Sequence, residues 1–317
     1  MGETILVTGG AGFIGSHVCD RLLSIGKRVI CLDNLNSYYP TKIKIRNIQH
    51  NLDNPNYSFL NIDITHKDQL EQVFQNNKIS RIIHLAARAG VRSSIEKPLL
   101  YEDTNIKGTL NLLELSKKYS IKNFIFGSSS SVYGNSTKVP FSEEDKVEKP
   151  ISPYAASKKA CELYCYTYSH LYKINVTCLR FFTVYGPRGR PDMAPYLFTK
   201  WINEGKPIKM FGDGTTRRDY TFITDVVDGI IAALNKPFKY EIINLGNSNT
   251  IKLRDFISII EKHLGKKAKI RRYPIQPGDV KITYADISKA KSLLGFKPKV
   301  SVEEGMRRFI EWYKNYY

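Results

Sequence analysis

Tyr154 and Lys158 stand four residues apart, Y-x-x-x-K, inside a stretch whose apolar spacing predicts a helix over 153–172. Both side chains therefore leave one face of that helix, a turn apart. A phenol is a poor base at neutral pH, but a neighbouring ammonium favours the phenolate and makes it usable as a general base. Ser129 lies 25 residues earlier, in Gly127-Ser-Ser-Ser-Ser-Val-Tyr-Gly134 at the end of a predicted strand. Its hydroxyl can donate to a substrate oxygen that Tyr154 deprotonates. Taken singly, a Tyr/Lys pair is a common surface combination and a serine run a common solvated turn, so their weight depends on what positions them.

A cofactor site precedes them. Residues 4–15, Thr4-Ile-Leu-Val-Thr-Gly-Gly-Ala-Gly-Phe-Ile-Gly15, read as strand, tight turn and helix. Gly9, Gly10, Gly12 and Gly15 satisfy both spacings of the dinucleotide-binding fingerprint, in which backbone N–H groups meet a pyrophosphate at a helix N-terminus. A second strand, Arg28–Asp33, ends in a carboxylate 18 residues past Gly15. An acid there accepts from the adenosine 2′-hydroxyl and repels a 2′-phosphate, so NAD is expected over NADP. The competing reading is a glycine turn that serves helix–strand packing alone.

The elements that must hold these groups follow in order. A basic helix runs to about residue 52, a strand Tyr57–Ile62 ends at Asp63, and a helix over 67–77 leads to a strand Arg81–Leu85 that meets Ala86-Ala87. Helices near 97–118 and 153–172 flank Phe124–Phe126, and Val176–Phe181 extends the sheet. Strands alternating with helices need crossover connections, which predicts an α/β, doubly wound (Rossmann) parallel sheet with ligands at the strands' carboxyl ends. Asp33, Asp63, Ala86 and Ala87 all fall there. Beyond residue 181 the elements shorten between Gly and Pro, which predicts an NAD-binding domain over 1–181 with returns near 222–247, and a smaller, mainly substrate-binding C-terminal domain over 182–317. The apolar stripes Leu110, Leu113, Leu115 and Ala156, Ala160, Leu163, Tyr164, Tyr168 are wide enough to cover a sheet and a second subunit, so a homodimer is expected.

Composition bounds the function. The chain has 317 residues, 42% of them hydrophobic, ample for a buried core. Its net charge of +18 comes from lysines scattered through every helix, without a nucleic-acid-binding motif. A positive field that gathers anionic substrates fits better than nucleic acid. No apolar run approaches a membrane span, and the first strand starts close to Met1, so no membrane association and a cytosolic, cytoplasmic location are expected. Five cysteines, Cys19, Cys31, Cys161, Cys165 and Cys178, lack metal-ligand spacing and read as packed thiols, with no metal expected.

These motifs, together with Asp63-Ile64, His84-Leu-Ala-Ala87, Asn105 in N-x-x-G-T and S-S-S-S-V-Y-G, resemble the extended short-chain dehydrogenase/reductase superfamily over essentially the whole chain. Within it the chain is similar to nucleotide-sugar 4-epimerases. Asp33-Asn-Leu-Asn-Ser-Tyr-Tyr39, Ala87-Arg-Ala-Gly-Val-Arg-Ser93 and Arg180–Met193 resemble the UDP-glucuronate 4-epimerases in particular. The resemblance makes Tyr154 the base, Lys158 its partner and ribose contact, and Ser129 the second hydroxyl. It adds Phe13, Ile14, Asn34, Asn36, Ile64, Leu85 and Asn105 to the cofactor contacts. The implied reaction interconverts UDP-glucuronate and UDP-galacturonate through a transient 4-keto sugar, with the hydride returned.

A C4 ketone β to a carboxylate invites loss of CO₂, so the carboxylate must be gripped. Ser128, Ser129, Ser130 and Thr183 are the candidates for hydrogen bonds, and Arg88, Arg92 and Arg190 for charge, with Arg190 favoured. For the UDP moiety the resemblance points to Arg218, Gln276, Asp279, Lys209 and Phe211, although many hexose epimerases have arginine where this chain has Gln276. Related dehydratases carry an acidic pair and decarboxylases a glutamate just after the catalytic hydroxyl, where this chain has Ser130 and Ser131. Epimerases of UDP-glucose or UDP-N-acetylglucosamine, a UDP-glucuronate decarboxylase and a catalytically silent NAD-sensing protein are the alternatives.

Overall fold

Alternation along the first strand decides the layering. In β1 (Thr4–Thr8), Ile5 and Val7 pack on one side and Leu6 on the other, all fully buried, so the strand needs cover on both faces. The computed structural model describes residues 3–276 and 279–317. Five more strands follow: β2 (Arg28–Asp33), β3 (Tyr57–Asn61), β4 (Ile79–His84), β5 (Asn123–Ser129) and β6 (Asn175–Phe181). Then come β7 (Thr183–Tyr185), β8 (Ile208–Phe211), β9 (Arg217–Phe222), β10 (Tyr240–Leu245), β11 (Thr250–Lys252) and β12 (Ile270–Tyr273).

Seven strands form one parallel sheet in the order β10-β6-β5-β4-β1-β2-β3, the doubly wound arrangement expected from the sequence. On one face the helices Phe13–Ser24 and Ile223–Asn235 bury Val18, Leu22, Val226 and Ile230 against Ile5, Val7, Ile125 and Ile243. On the other, Lys67–Asn76, Gly108–Lys118 and Pro153–Tyr172 bury Leu70, Leu112, Leu113, Cys161 and Cys165 against Leu6, Ile82, Phe124 and Cys178. The first apolar cluster continues through Phe256, Ile260, Phe309 and Ile310, so the C-terminal elements pack on that face without a break. There β11-β9-β7 and β12-β8 make two small sheets.

Two details depart from the sequence reading. The strand expected over Phe124–Phe126 runs on through Ser129, because Gly127, Ser128 and Ser129 pair with Leu179, Arg180 and Phe181. Pairing overrides the poor strand preference of serine. The helix expected near 97–118 is three pieces, Pro98–Tyr101, a π-helical turn Glu102–Lys107 and Gly108–Lys118. The π turn presents Asn105 to the sheet edge, where it bonds the Arg88 backbone.

The catalytic-motif helix starts where Ser152 accepts from the Ala155 N–H at 3.1 Å and Pro153 occupies the first turn. All five cysteines are free and buried. No helix among the described residues is long and apolar enough to cross a membrane.

His84 ties the sheet together at its carboxyl edge. The Thr109 hydroxyl donates to the Asn105 carbonyl at 2.5 Å, so its oxygen accepts from His84 Nε2–H at 2.9 Å, which leaves Nδ1 to accept from Thr8 Oγ1–H at 2.7 Å. Burial, with the Lys158 charge nearby, pushes the His84 pKa down to about 3. A folded-state pKa below the unfolded value means that stability from this site is complete above about pH 6.5 and is lost as pH falls towards 3. Thermal melts from pH 7 to 4 should therefore fall more steeply for the wild type than for His84→Gln, measured relative to each protein's value at pH 7. Parallel curves would remove His84 as the acid-sensitive group.

Candidate active site

A single cavity of about 620 Å³ runs along the carboxyl edge of the large sheet. That volume and position suit a cofactor and a small substrate together. At one end β1 gives way to Gly9, whose φ of +68° favours glycine and whose missing Cβ would lie 2.7 Å from the Ala86 nitrogen. The turn thus sits directly on the exit of β4. Gly12 then caps the helix Phe13–Ser24 without a side-chain bond, and no acidic residue occupies the first turn. Gly9, Gly12, Phe13, Ile14 and Gly15 line the cavity, so the positive end of the helix dipole faces it.

Asp33, buried at the end of β2, accepts from the Leu35 N–H at 2.9 Å. Lys44 Nζ stands 3.7 Å from the same oxygen and 5.0 Å from the Tyr39 ring centroid. Burial lowers the Lys44 pKa while Asp33 pulls it back up. Asn34 and Asn36 line the wall, and the Asn34 side chain accepts from Asn36 Nδ2 at 2.7 Å. Asp63 does not line the cavity: it sits behind Asn34, accepting from its Nδ2 at 2.6 Å. Burial works against ionisation of Asp63, but hydrogen bonds from Thr65 and Asn34 outweigh it and hold the carboxyl below its ordinary pKa.

Ile64, Leu85, Ala86, Ala87 and Arg88 form the middle of the wall. Asn105 stands behind it, where Oδ1 accepts from the Arg88 N–H at 2.7 Å and Nδ2 donates to the Arg88 carbonyl at 3.1 Å and to Ser157 Oγ at 2.9 Å. One side chain thereby joins the β4 exit to the residue before Lys158.

Ser129, Tyr154 and Lys158 meet at the far end of the cavity. Lys158 Nζ donates to the Gly127 carbonyl at 2.6 Å and lies 4.8 Å from the Phe126 ring. Tyr154 packs edge-on against Tyr101, whose hydroxyl donates to the Ala89 carbonyl at 2.7 Å. Ser129 Oγ accepts from the Ser131 N–H at 3.2 Å, which leaves its own proton for another acceptor. Ser130, Ser131 and Thr183 complete this end. Ser128 also borders it, but its hydroxyl donates to Glu162 at 2.7 Å and is committed there.

The arginines differ from expectation. Arg190, favoured from sequence as the spare positive charge, is held by Asp192 at 3.0 and 2.5 Å, and its guanidinium lies over the Tyr38 ring. Its charge is already met. Arg92 pairs with Asp279 at 3.1 Å and stacks on Phe211 at 4.7 Å. Arg88 lines the cavity with Nε buried and unpartnered, and no ion pair among the described residues involves it. Of the three, Arg88 is the guanidinium with charge to spare.

Several expected nucleotide contacts stand outside the cavity wall. Lys209 is exposed on β8, and Phe211 lies beneath Arg92 instead of lining the wall. Arg218 Nη1 is turned to the Arg217 carbonyl at 2.9 Å, and burial lowers its pKa. Gln276 is half-buried and away from the wall, whereas Asp279 reaches it. Pro277 and Gly278, between Gln276 and Asp279 in sequence, lie outside the described residues.

Sequence reasoning missed Lys44, Asp192 and Glu162. Glu162 had a readable signal, since it continues the Tyr154–Lys158 row by one more turn.

The family described as GDP-mannose 4,6-dehydratase matches residues 6–309. A UDP-glucuronate 4-epimerase of Thermodesulfobacterium geofontis is 51% identical over 310 residues, covering 98% of this chain and 95% of its own. The crystal structure of the UDP-glucuronic acid 4-epimerase from Bacillus cereus in complex with UDP-glucuronic acid and NAD is 40% identical, with a TM-score of 0.94 and coverage of 99% and 100%. The UDP-glucose 4-epimerase of Thermotoga maritima, with UDP-glucose, is 36% identical at a TM-score of 0.91, covering 98% and 99%.

The contact between the glycine turn and β4 is open to direct test. Gly9→Ala adds a methyl 2.7 Å from the Ala86 nitrogen at a left-handed backbone position, with an expected cost of roughly 1–3 kcal/mol. Chemical denaturation should show that loss, and an unchanged midpoint would mean that the two segments do not touch.

Proposed function

The chain belongs to the GDP-mannose 4,6-dehydratase family, within the extended short-chain dehydrogenases/reductases, and from that premise we propose that it is an NAD-dependent UDP-glucuronate 4-epimerase. One observation carries the reading. The same cavity holds an uncapped helix N-terminus and Asp33 at one end, and Ser129, Tyr154 and Lys158 with three further hydroxyls at the other.

The residues present fit NAD. The helix end offers amides and no competing carboxylate to a pyrophosphate. Asp33 accepts from a ribose hydroxyl and repels a 2′-phosphate. Behind them, Asp63 and Asn105 brace Asn34 and the Arg88 segment. When bound, NAD supplies the hydride acceptor, and then the hydride donor, at C4 of the sugar.

The chain's own residues do the rest. Tyr154 takes the proton from the sugar O4 and later returns it, Lys158 stands one helical turn away, and Ser129 donates to the same oxygen. Between the two steps the 4-keto sugar turns about its link to UDP. Ser130, Ser131 and Thr183 hold the C6 carboxylate by hydrogen bonds, and Arg88 balances its charge. Held this way, the C5–C6 bond stays out of line with the ketone π-system, which keeps CO₂ in place. Ser130 and Ser131 stand where an elimination or an assisted decarboxylation would need an acid, and neither serves as one. The UDP moiety lies towards Arg92 and Asp279, the second of which belongs to the part of the chain after residue 181. Likeness to a UDP-glucose 4-epimerase favours a neutral hexose as the second reading.

The exposed Ile95, Leu99, Leu163, Tyr164, Tyr166 and Leu171 lie along the helices Val91–Lys118 and Pro153–Tyr172, on the side away from the sheet. A second copy of the chain covers them in the proposed homodimer. Five free, buried thiols suit the reducing cytosol.

Purified protein given UDP-glucuronate or UDP-glucose and followed by NMR separates the readings: UDP-galacturonate supports the proposal, UDP-galactose alone the second. Tyr154→Phe should lose about 10²–10⁴-fold in rate while still retaining NAD, and undiminished turnover would exclude Tyr154 as the base. Leu99→Glu combined with Leu163→Glu should sediment as a monomer where the wild type sediments as a dimer. A monomeric wild type would refute the dimer.

A further inference from the structure

Glu162 is a fully buried carboxylate that the proposed reaction does not use. It lies one turn beyond Lys158 on the helix that also carries Tyr154. Arg180, equally buried on β6, grips it in a bidentate pair, Nε to Oε1 and Nη2 to Oε2, both at 2.8 Å. Such a pair recovers its desolvation cost only where further hydrogen bonds satisfy the remaining atoms.

Those further bonds are placed unusually for a merely structural pair. Ser128 donates to Glu162 Oε1 at 2.7 Å. At the other end of the serine run, the Tyr133 hydroxyl accepts from Arg180 Nη1 at 3.0 Å and donates to Asn244 at 2.7 Å, with its ring 4.8 Å from the guanidinium carbon. The segment Ser129–Val132 is thus bracketed, its first neighbour fixed to the carboxylate and its last to the guanidinium. Thr183, the first residue of β7, follows Arg180 by three residues. One ion pair therefore sets Ser129, Ser130, Ser131 and Thr183 in relation to the helix that bears Tyr154.

We propose that the Glu162–Arg180 pair is a positioning device for the carboxylate-holding hydroxyls and sets what fraction of the 4-keto uronate keeps its carboxyl group. This rests on the epimerase reading above. The competing step is loss of CO₂: the C5–C6 bond breaks, C6 departs as CO₂, the bonding electron pair passes into the C4 carbonyl as an enolate, and a proton from solvent then returns to C5. It requires the C5–C6 bond to align with the ketone π-system. A hydroxyl cluster displaced by a few tenths of an ångström lets the carboxylate rotate towards that alignment.

Removing Glu162 strands the Arg180 charge in the interior, and removing Arg180 leaves Glu162 with only Lys159 Nζ at 3.5 Å, so either change endangers folding itself. The informative variants keep both: Ser128→Ala frees one end of the bracket and Tyr133→Phe the other. Each holoenzyme is given UDP-glucuronate, and CO₂ and UDP-galacturonate are quantified together, with the melting temperature as a second measurement. Ile260→Val, in the C-terminal core, serves as a control for lost stability. The expected result is a CO₂-to-galacturonate ratio at least five times that of the wild type in both bracket variants, with the control at the wild-type ratio even where its melting temperature falls. Wild-type ratios in both bracket variants would overturn the proposal while leaving the epimerase reading intact. A wild type that makes no UDP-galacturonate would overturn that reading, and this proposal with it.

Discussion

A parallel sheet delivers every strand's carboxyl end to one edge, and there the backbone ladder runs out: its last bonds include Gly9 N–H to the Leu32 carbonyl and Leu85 N–H to the Thr8 carbonyl. Beyond them the segments leaving β1, β2, β4 and β5 run to separate helical turns and the one leaving β6 runs to β7. Side chains supply further ties. His84 joins the end of β1 to the helix Gly108–Lys118 through Thr8 and Thr109. Asn105 joins the β4 exit to Ser157 on the next helix. Glu162 joins that helix to both β5 and β6. Each tie is buried, each satisfies several donors or acceptors at once, and each ends within a residue or two of a group lining the cavity. In a low-dielectric setting such bonds are strong when complete and costly when broken, which makes them rigid.

The same principle governs the charges. The chain is strongly basic overall, yet most cations at the cavity are already matched: Lys44 by Asp33, Arg92 by Asp279 and Arg190 by Asp192. Net charge acts at long range, drawing anionic nucleotides towards the protein. Selection within the cavity falls to the few groups left unmatched, notably Arg88 and Lys158. A cavity lined throughout by free cations would bind any nucleotide, whereas sparing one guanidinium in a wall that also carries hydroxyls makes it more selective among anions.

Most of the fold was legible because its signals are local. The glycine turn, Asp33, the strand–helix rhythm and the Tyr154–Lys158 spacing are each contained in a short stretch of chain. The seven-stranded parallel sheet follows from them. What was not legible is how side chains far apart in sequence share out their bonds. Ser128 and Ser130 look alike in a run of four serines, but a strand pairing through Ser129 turns Ser128 to Glu162. Arg190 looks free until Asp192 is found on two of its three nitrogens. Arg218 looks like a phosphate contact, yet its Nη1 is found on two backbone carbonyls. A buried arginine in an apolar strand was the overlooked clue, because Arg180 could be tolerated there only with a buried acid beside it.

The family takes its description from a dehydratase, and the proposed reaction differs in outcome through two positions. Elimination across C5 and C6 needs a proton taken from one carbon and given to the leaving group on the other, and the positions after Ser129 are where acid and base would act. Serines there neither remove nor supply that proton at neutral pH. With the ketone formed and no elimination available, the remaining exits are return of hydride or loss of the carboxyl group. Hydroxyls that hold a carboxylate in place disfavour the second without adding any chemistry of their own. In the proposed reaction the same two residues close one route by what they lack and restrain another by where they stand, which is why the geometry of a serine run matters there as much as the identity of the base.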